Sequence, residues 1–275
     1  MNRWSTAAML GFVFLSGCAA DAQTTASPVT WDEFVALAHT DPETGVYVVD
    51  GDEPVYTLEE LRAYYDRWVA PPVFDANDIG TISQPLIVNR VNGADDRWSA
   101  AAALNVTFCV SAASFGSRYN AVITAMDTAS SAWEAAAHVN FVHSTAQDGA
   151  CTRTNANVVF DVRQVAGQPF LARSFFPSST RRNRELLIDS SSFGVITPYT
   201  LAGIVRHELG HTLGFRHEHT RPEAGGVCFE DNSWRALTTY DSASVMHYPQ
   251  CNGTNRGDLV LTTRDRQGAA ALYGP

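Results

Sequence analysis

Apolar and polar residues follow helix and strand periods over most of the chain, and the pattern changes near residue 80. Before that point, Trp31 to Ala38 is short and helix-like, and Val46 to Val49 is β-branched and aromatic, which predicts a strand. Thr57-Leu58-Glu59-Glu60 has capping-box spacing and opens a helix with Leu58, Leu61, Tyr65 and Trp68 along one side. Pro71-Pro72 stops it, and Asp75 to Gly80 reads as loop. From Pro85 onward strands alternate with one long helix. Leu104 to Val110, Val139 to His143 and Val158 to Val162 read as strands, and Tyr119 to Ala137 as a helix whose inner face is Val122, Ile123, Met126 and Trp133. Leu171 to Phe176 and Leu186 to Asp189 are expected to pair as edge strands. Ser190 to Pro198 is a loop, followed by a helix with Leu201, Ile204 and Val205 on its apolar side. The remainder is loop-rich until a last helix, Thr263 to Tyr273, and no segment repeats another.

A length of 275 residues allows one sizeable domain plus a smaller segment. With 45% hydrophobic and 17% charged residues the chain suits a globular protein with a core. A formal net charge of -10 argues against nucleic acid as a partner. All 19 basic residues are arginine, a coding bias on which no function is built.

The first residues bear on compartment. Arg3 precedes an apolar run from Ala7 to Leu15, too short to span a bilayer as a mature helix, and small residues follow it. Leu15-Ser16-Gly17-Cys18 resembles the lipobox of bacterial lipoproteins, which implies cleavage before Cys18 and a lipid on its sulfur; the alternative is an ordinary signal peptide cut near Ala20 or Ala22. Export permits disulfides. Cys109, Cys151, Cys228 and Cys251 then allow three pairings, and we expect Cys109–Cys151 and Cys228–Cys251, each joining neighbouring segments.

The densest chemistry is His207-Glu208-Leu209-Gly210-His211-Thr212-Leu213-Gly214-Phe215-Arg216-His217. Histidines four apart on a helix share one face. Glycine at 214 lets the chain leave the helix through a left-handed turn and bring His217 back. Three neutral nitrogen ligands with a vacant fourth position are the layout of a catalytic zinc site, here expected to take one Zn2+. Glu208, beside the first ligand, suits a general base. A lone His-Glu-x-x-His arises by chance on surface helices; the added glycine and third histidine make it specific. The other histidines, His39, His138, His143, His219 and His247, are expected to be structural or at the surface.

The extended motif resembles that of the metzincin zinc peptidases. Downstream, Tyr240-Asp241-Ser242-Ala243-Ser244-Val245-Met246-His247-Tyr248 is similar to the Met-turn of the astacin family, and Leu171 to Pro177 to the substrate-binding edge strand of matrix metalloproteinases. The likeness runs from about Pro85 to Pro275. It implies an α+β fold: a metzincin domain with a twisted mixed sheet, two main helices and an irregular C-terminal subdomain, preceded by a small pro-region-like segment. In it Met246 packs beneath the metal and Tyr248 reaches the metal or the oxyanion. Glu218, after the third histidine, either contacts a trimmed amino terminus or is an exposed charge. Val49-Asp50-Gly51-Asp52 resembles the run with which astacin pro-peptides place an aspartate on zinc, with valine for the usual phenylalanine; the alternative is a plain Asp-Gly turn. Glu223 stands where astacins usually show aspartate, and these cysteine spacings are not theirs, so a distant bacterial relative is expected.

The expected organisation is a signal peptide over 1–17, a tether and possible pro-region over 18–80, and a catalytic domain over 81–275. The expected activity is a secreted or membrane-anchored zinc metalloendopeptidase. It would be monomeric, act on protein or peptide substrates, and meet the membrane only through a lipid. The alternatives are a non-hydrolytic zinc-containing surface binding module and a cell-wall peptide amidase.

Overall fold

Thr30 caps the first helix, α1 (Trp31–Leu37): its side chain accepts from the Glu33 amide, and Glu33 reaches back to the cap amide. The computed structural model describes residues 29–49, 51–68, 86–226, 228, 232–254 and 258–275. The signal and lipobox readings, Cys18, the tether to residue 28, Asp50 and the boundary near residue 80 lie outside the described residues.

After α1 come β1 (His39–Thr40), β2 (Tyr47–Val49) and β3 (Glu53–Val55), an antiparallel sheet of their own in the order β1-β2-β3. Helix α2 (Leu58–Trp68) follows. Leu61 and Tyr65 are buried as predicted, but Leu58 is 52% exposed, because the aromatic rings of Trp31 and Phe34 cover the Tyr65 end of the helix.

The body begins with β4 (Ile87–Val91) and β5 (Ala94–Asp95), joined at Asn92-Gly93, both at positive φ. Ser99 then caps a helix missed from sequence, α3 (Ala100–Ala103), so β6 starts at Val106 (Val106–Val110) and Leu104 serves as the helix cap. Helices α4 (Ala112–Phe115) and α5 (Tyr119–Glu134) follow. The α5 helix ends three residues short of the expected Ala137, where Glu134 accepts from the Phe141 amide at 2.9 Å and the chain reverses into β7 (Phe141–His143). Strands β8 (Phe160–Val165), β9 (Ala172–Arg173) and β10 (Glu185–Asp189) complete a sheet in the order β7-β6-β8-β10-β9. It is parallel except at β9, which pairs antiparallel with β10. Of the two strands expected at an edge, β9 is one. The expectation that Leu186 to Asp189 also lies at an edge is corrected: β10 sits between β8 and β9, and all five of its residues are buried.

Helix α6 (Leu201–Thr212) packs on α5, with Trp133 Nε1 donating to the Arg206 carbonyl at 2.9 Å. Every residue from Gly203 to Thr212 is buried. Strands β11 (Phe215–Arg216) and β12 (Trp234–Ala236) flank β4, so the residues beside His217 are tied to the start of the body. Helix α7 (Thr263–Tyr273) ends the chain, opened by the Thr262–Asp265 capping box. The core is one cluster shared by α5, α6, α7 and the five-stranded sheet. Disulfides join Cys109 to Cys151 and Cys228 to Cys251, the expected pairing. Among the described residues no helix is long and apolar enough to cross a membrane.

Candidate metal centre

Three local devices gather the histidines. The α-helical period places His207 and His211 one turn apart, with ring centroids 5.0 Å from each other. Gly214 then turns at φ 92°, where a Cβ would lie 2.0 Å from the Asp96 carbonyl oxygen, so no side chain fits there. Pairing of β11 with β4 fixes the next two residues and delivers His217, whose ring lies 5.1 Å from His207 and 4.7 Å from His211. All three are buried.

A fourth residue joins them. Asp52 Oδ2 lies 3.4 Å from His207 Nε2, and Oδ1 lies 3.2 Å from His217 Nε2. Asp52, His207, His211 and His217 each offer one ligand atom, all within 4.8 Å of one another. Asp52 therefore reaches the cluster even though it belongs to the segment before residue 80, and it does so from a turn directly before β3.

Donor chemistry fits a divalent cation. His207 Nδ1 donates to the Val245 carbonyl at 2.7 Å and His211 Nδ1 to the Phe215 carbonyl at 2.8 Å. A carbonyl only accepts, so Nδ1 carries the proton and each Nε2 lone pair faces inward. His211 Nε2 is buried with no hydrogen-bond partner, and His207 and His217 face each other Nε2 to Nε2 at 3.1 Å. A buried acceptor without a donor, such as His211 Nε2, is costly, and a cation among these nitrogens would satisfy it. Burial, with the neighbouring His217, pushes the His211 imidazole well below its ordinary pKa, which keeps it the neutral form that binds metal.

Glu208 follows the first histidine on α6 and is 2% exposed. Burial and then the facing Asp52 carboxylate push its carboxyl well up. The Asp52 carboxyl moves the opposite way: burial opposes ionisation, but His217 and His207 outweigh it. Within this buried carboxylate pair Asp52 thus keeps its charge more readily than Glu208.

Met246 is fully buried beneath α6, where a Cβ on Gly210 would lie 2.4 Å from its Sδ. Asp265 of α7 holds the turn above it, accepting from Ser244 Oγ at 2.6 Å and the Val245 amide at 2.9 Å. The Tyr248 ring stacks on His207 with centroids 5.4 Å apart and lies tilted against His217 at 4.5 Å, and a Cβ on Gly51 would start 3.7 Å from its hydroxyl. Glu218 is fully buried, which rules out the exposed-charge alternative; it accepts from the Asp241 amide at 3.1 Å and pairs with Arg221 at 3.4 Å. His219 and His247 are buried, His143 bonds Asp148, His39 bonds Gln168, and His138 is exposed.

A cavity of about 230 Å³ opens beside the cluster, lined by Phe170, Leu171, Tyr199, Ile204, Glu208 and Tyr248 among others. Two contacts of the site had no signal in the sequence: the Asp265 brace and an ion pair between Arg216 and Glu53 at 2.9 Å. Both join residues far apart in the chain or in different elements, where spacing carries no information.

Comparison with known proteins agrees with this geometry. Residues 94–221 match the model of a family described as a dual-action HEIGH metallo-peptidase, a span that holds Glu208 and all three histidines. The bone morphogenetic protein 1 homolog of Strongylocentrotus purpuratus is 38% identical over 84 residues, 23% of this chain and 13% of that one. Tolloid-like protein 2 of Mus musculus is 38% identical over 93 residues, 26% of this chain and 9% of that one. The chain thus spans about a tenth of the length of these relatives. The solved structure of myroilysin aligns with a TM-score of 0.47 at 19% identity, covering 69% of this chain and 98% of that one. Residues 94–221, which bear the histidine cluster, are thus similar to a metallopeptidase family, and shorter stretches of the chain to the bone morphogenetic protein 1 homolog and a tolloid-like protein.

Proposed function

We propose that the protein is an exported zinc-dependent endopeptidase that hydrolyses peptide bonds in protein or peptide substrates. One observation carries the reading: three inward-facing imidazole nitrogens and a buried, protonatable glutamate share one closed space. His207, His211 and His217 would hold a single zinc ion. Bound there, zinc supplies a Lewis acid that makes water nucleophilic near neutral pH and polarises a peptide carbonyl. Glu208 Oε2, buried without a hydrogen-bond partner, takes the proton of the attacking water and returns it to the leaving amine. The Tyr248 hydroxyl donates to the oxyanion that forms on the carbonyl. Met246 binds nothing and supports α6 from below. The substrate lies extended along β9, the edge strand beside the cavity, and adds to it as a strand.

The segment before residue 80 acts as a pro-region, and 81–275 as the catalytic domain. While the Asp52 carboxylate lies between His207 and His217 it fills the place that a substrate carbonyl needs. A buried glutamate beside the cluster has no use in a non-hydrolytic binding module, and nothing lends weight to a wall amidase. Export follows from the amino-terminal run and suits the two disulfides. Cys18 would carry the lipid, which anchors a monomer to the envelope until processing releases it.

Glu208→Ala is the test. The variant is expected to retain one zinc per chain by elemental analysis and to lose cleavage of a peptide library that the unsubstituted protein digests only without a chelator. Unchanged turnover by the variant would refute the role of Glu208. For the anchor, Cys18→Ser is expected to move the protein from the membrane fraction to the medium.

A further inference from the structure

A separate set of contacts holds the amino-terminal segment to the body and takes no part in the chemistry above. Asp41 follows β1 and opens the turn to β2, where its Oδ1 accepts from the Glu43 amide at 2.9 Å and the Thr44 amide at 3.1 Å. Its other oxygen, Oδ2, accepts from Arg173 Nη2 of β9 at 2.9 Å. Both residues are buried, Arg173 completely. Within the body Arg173 faces Glu185 of β10 only at 3.9 Å, and its Nε and Nη1 are buried without a hydrogen bond. Among the described residues, Asp41 is therefore the anion to which this guanidinium is hydrogen-bonded.

Other contacts widen the patch. Glu43 Oε2 lies 3.1 Å from Arg163 Nη1 of β8, and Arg153 Nη1 donates to the Glu43 carbonyl at 2.9 Å. His39 Nε2 lies 2.7 Å from Gln168 Oε1, and its ring meets Phe170 edge-on. Val48 of β2 packs with Phe170 and Leu187 in an apolar cluster apart from the main core. None of these residues belongs to the histidine cluster. The sheet β1-β2-β3 shares no ladder with the body among the described residues, so these contacts, not strand pairing, join the two here. Val48 supplies non-directional attraction, and the ion pair fixes position, because a neutral side chain at 41 would leave Arg173 buried without its hydrogen-bonded anion.

We infer that the body carries a docking surface for residues 39–48 that is independent of the histidine cluster, built around Arg173, Arg163, Gln168, Phe170 and Leu187, and that it keeps the segment bound after the chain is cut. Asp52 blocks the cluster, and Asp41 holds the segment over it. Activation then takes two steps: cutting of the chain, and departure of the segment from this surface. The inference rests on the reading of that segment as a pro-region, since it names how the block is retained.

The test uses the full-length, zinc-loaded chain with Glu208→Ala, which prevents self-digestion, and with a recognition site for a sequence-specific protease inserted after Gly80. After cutting, the two pieces are expected to elute together in gel filtration, with zinc and also after a chelator has removed it. Asp41→Asn, whose side-chain oxygen can still accept from the turn amides, should raise the dissociation constant of the chelated pieces about tenfold or more, read from gel filtration at falling concentration. Glu43→Gln, at a pair open to water, should change it by less than about threefold. Separation on cutting alone, release by the chelator while Asp41 is intact, or an unchanged constant in Asp41→Asn would each overturn the inference. If the inserted site resists cutting or Asp41→Asn fails to fold, hydrogen exchange over residues 39–49 of the uncut protein decides. Protection there should survive the chelator and fall about fivefold in Val48→Ala; protection lost with the zinc, or unaltered by Val48→Ala, overturns it. Peptide cleavage by the cut chain with Glu208 intact is scored separately. Departure of the segment with no rise in cleavage sinks the pro-region reading alone, and full cleavage as soon as the chain is cut sinks this inference alone.

Discussion

The chain on either side of Gly214 is held together by different physics. Residues 86–213 form the five-stranded sheet with α5 and α6, and apolar side chains such as Phe108, Phe160, Leu186 and Val205 fill the space between them. Residues 215–275 have short elements as far as α7 and many buried polar groups around the turns: Glu218, Thr220, Arg221, Ser244, His247 and Asp265 are all buried. Hydrophobic packing is non-directional and yields gradually when one member shrinks. A buried polar network depends on each partner, because one deletion leaves another group unsatisfied. The cluster draws two histidines from the first region and one from the second, so it depends on both kinds of order at once.

The sharpest way to break the comparison is at the seam. Gly214→Val puts a Cβ into the Asp96 carbonyl at a positive φ and should cost about 4 kcal/mol or more, read as loss of soluble folded protein. Next is Leu186→Ala in the sheet, expected to cost about 3 kcal/mol in urea unfolding while zinc affinity stays within about twofold. Asp265→Ala should cost less, about 2 kcal/mol, yet weaken zinc by about tenfold or more in a chelator competition, because the turn carrying the Val245 carbonyl, which accepts from His207, loses its brace. Equal zinc affinities in these two variants would erase the distinction between the regions.

A smaller effect tests the covering segment. Burial opposes ionisation of Asp41, but Arg173 and the amides of Glu43 and Thr44 outweigh it and hold its carboxyl below the ordinary value. A lowered folded pKa means stability that is present above the unfolded pKa and lost as pH falls through the folded one. Asp41→Asn should therefore weaken the segment at neutral pH and flatten its acid sensitivity, measured by hydrogen exchange over residues 39–49. Smallest of all, Leu58→Ser on the exposed side of α2 should change stability by no more than about 0.5 kcal/mol.

How much of this could be read from sequence depended on how far each cause lies along the chain. The last helix was legible to the residue, because Thr262 and Asp265 cap it locally and Gly274 ends it. The α5 helix was legible in place but not in length, since its end is set by Glu134 bonding Phe141 across a turn. Placing β10 inside its sheet needed partners in β8, some two dozen residues earlier, and strand composition does not name partners. The pairing of β4 with β11 and β12 spans more than a hundred residues and left no trace in periodicity. In the site, the histidines, Glu208, Met246 and Tyr248 stood out because each group sits in one short run. Arg216 looked like any arginine, because its contact with Glu53 spans 163 positions of chain. Asp265 looked like a capping residue, which it is, while also gripping Ser244 and Val245.

That double use of Asp265 has a bearing on biosynthesis. The carboxylate that finishes the cradle under the histidines belongs to the final helix, so every ligand is synthesised before the brace that steadies it. A chain threading outward from its amino end thus carries an unbraced cradle until its last helix has emerged. A metal held before that helix docks would rest on a turn without its carboxylate brace.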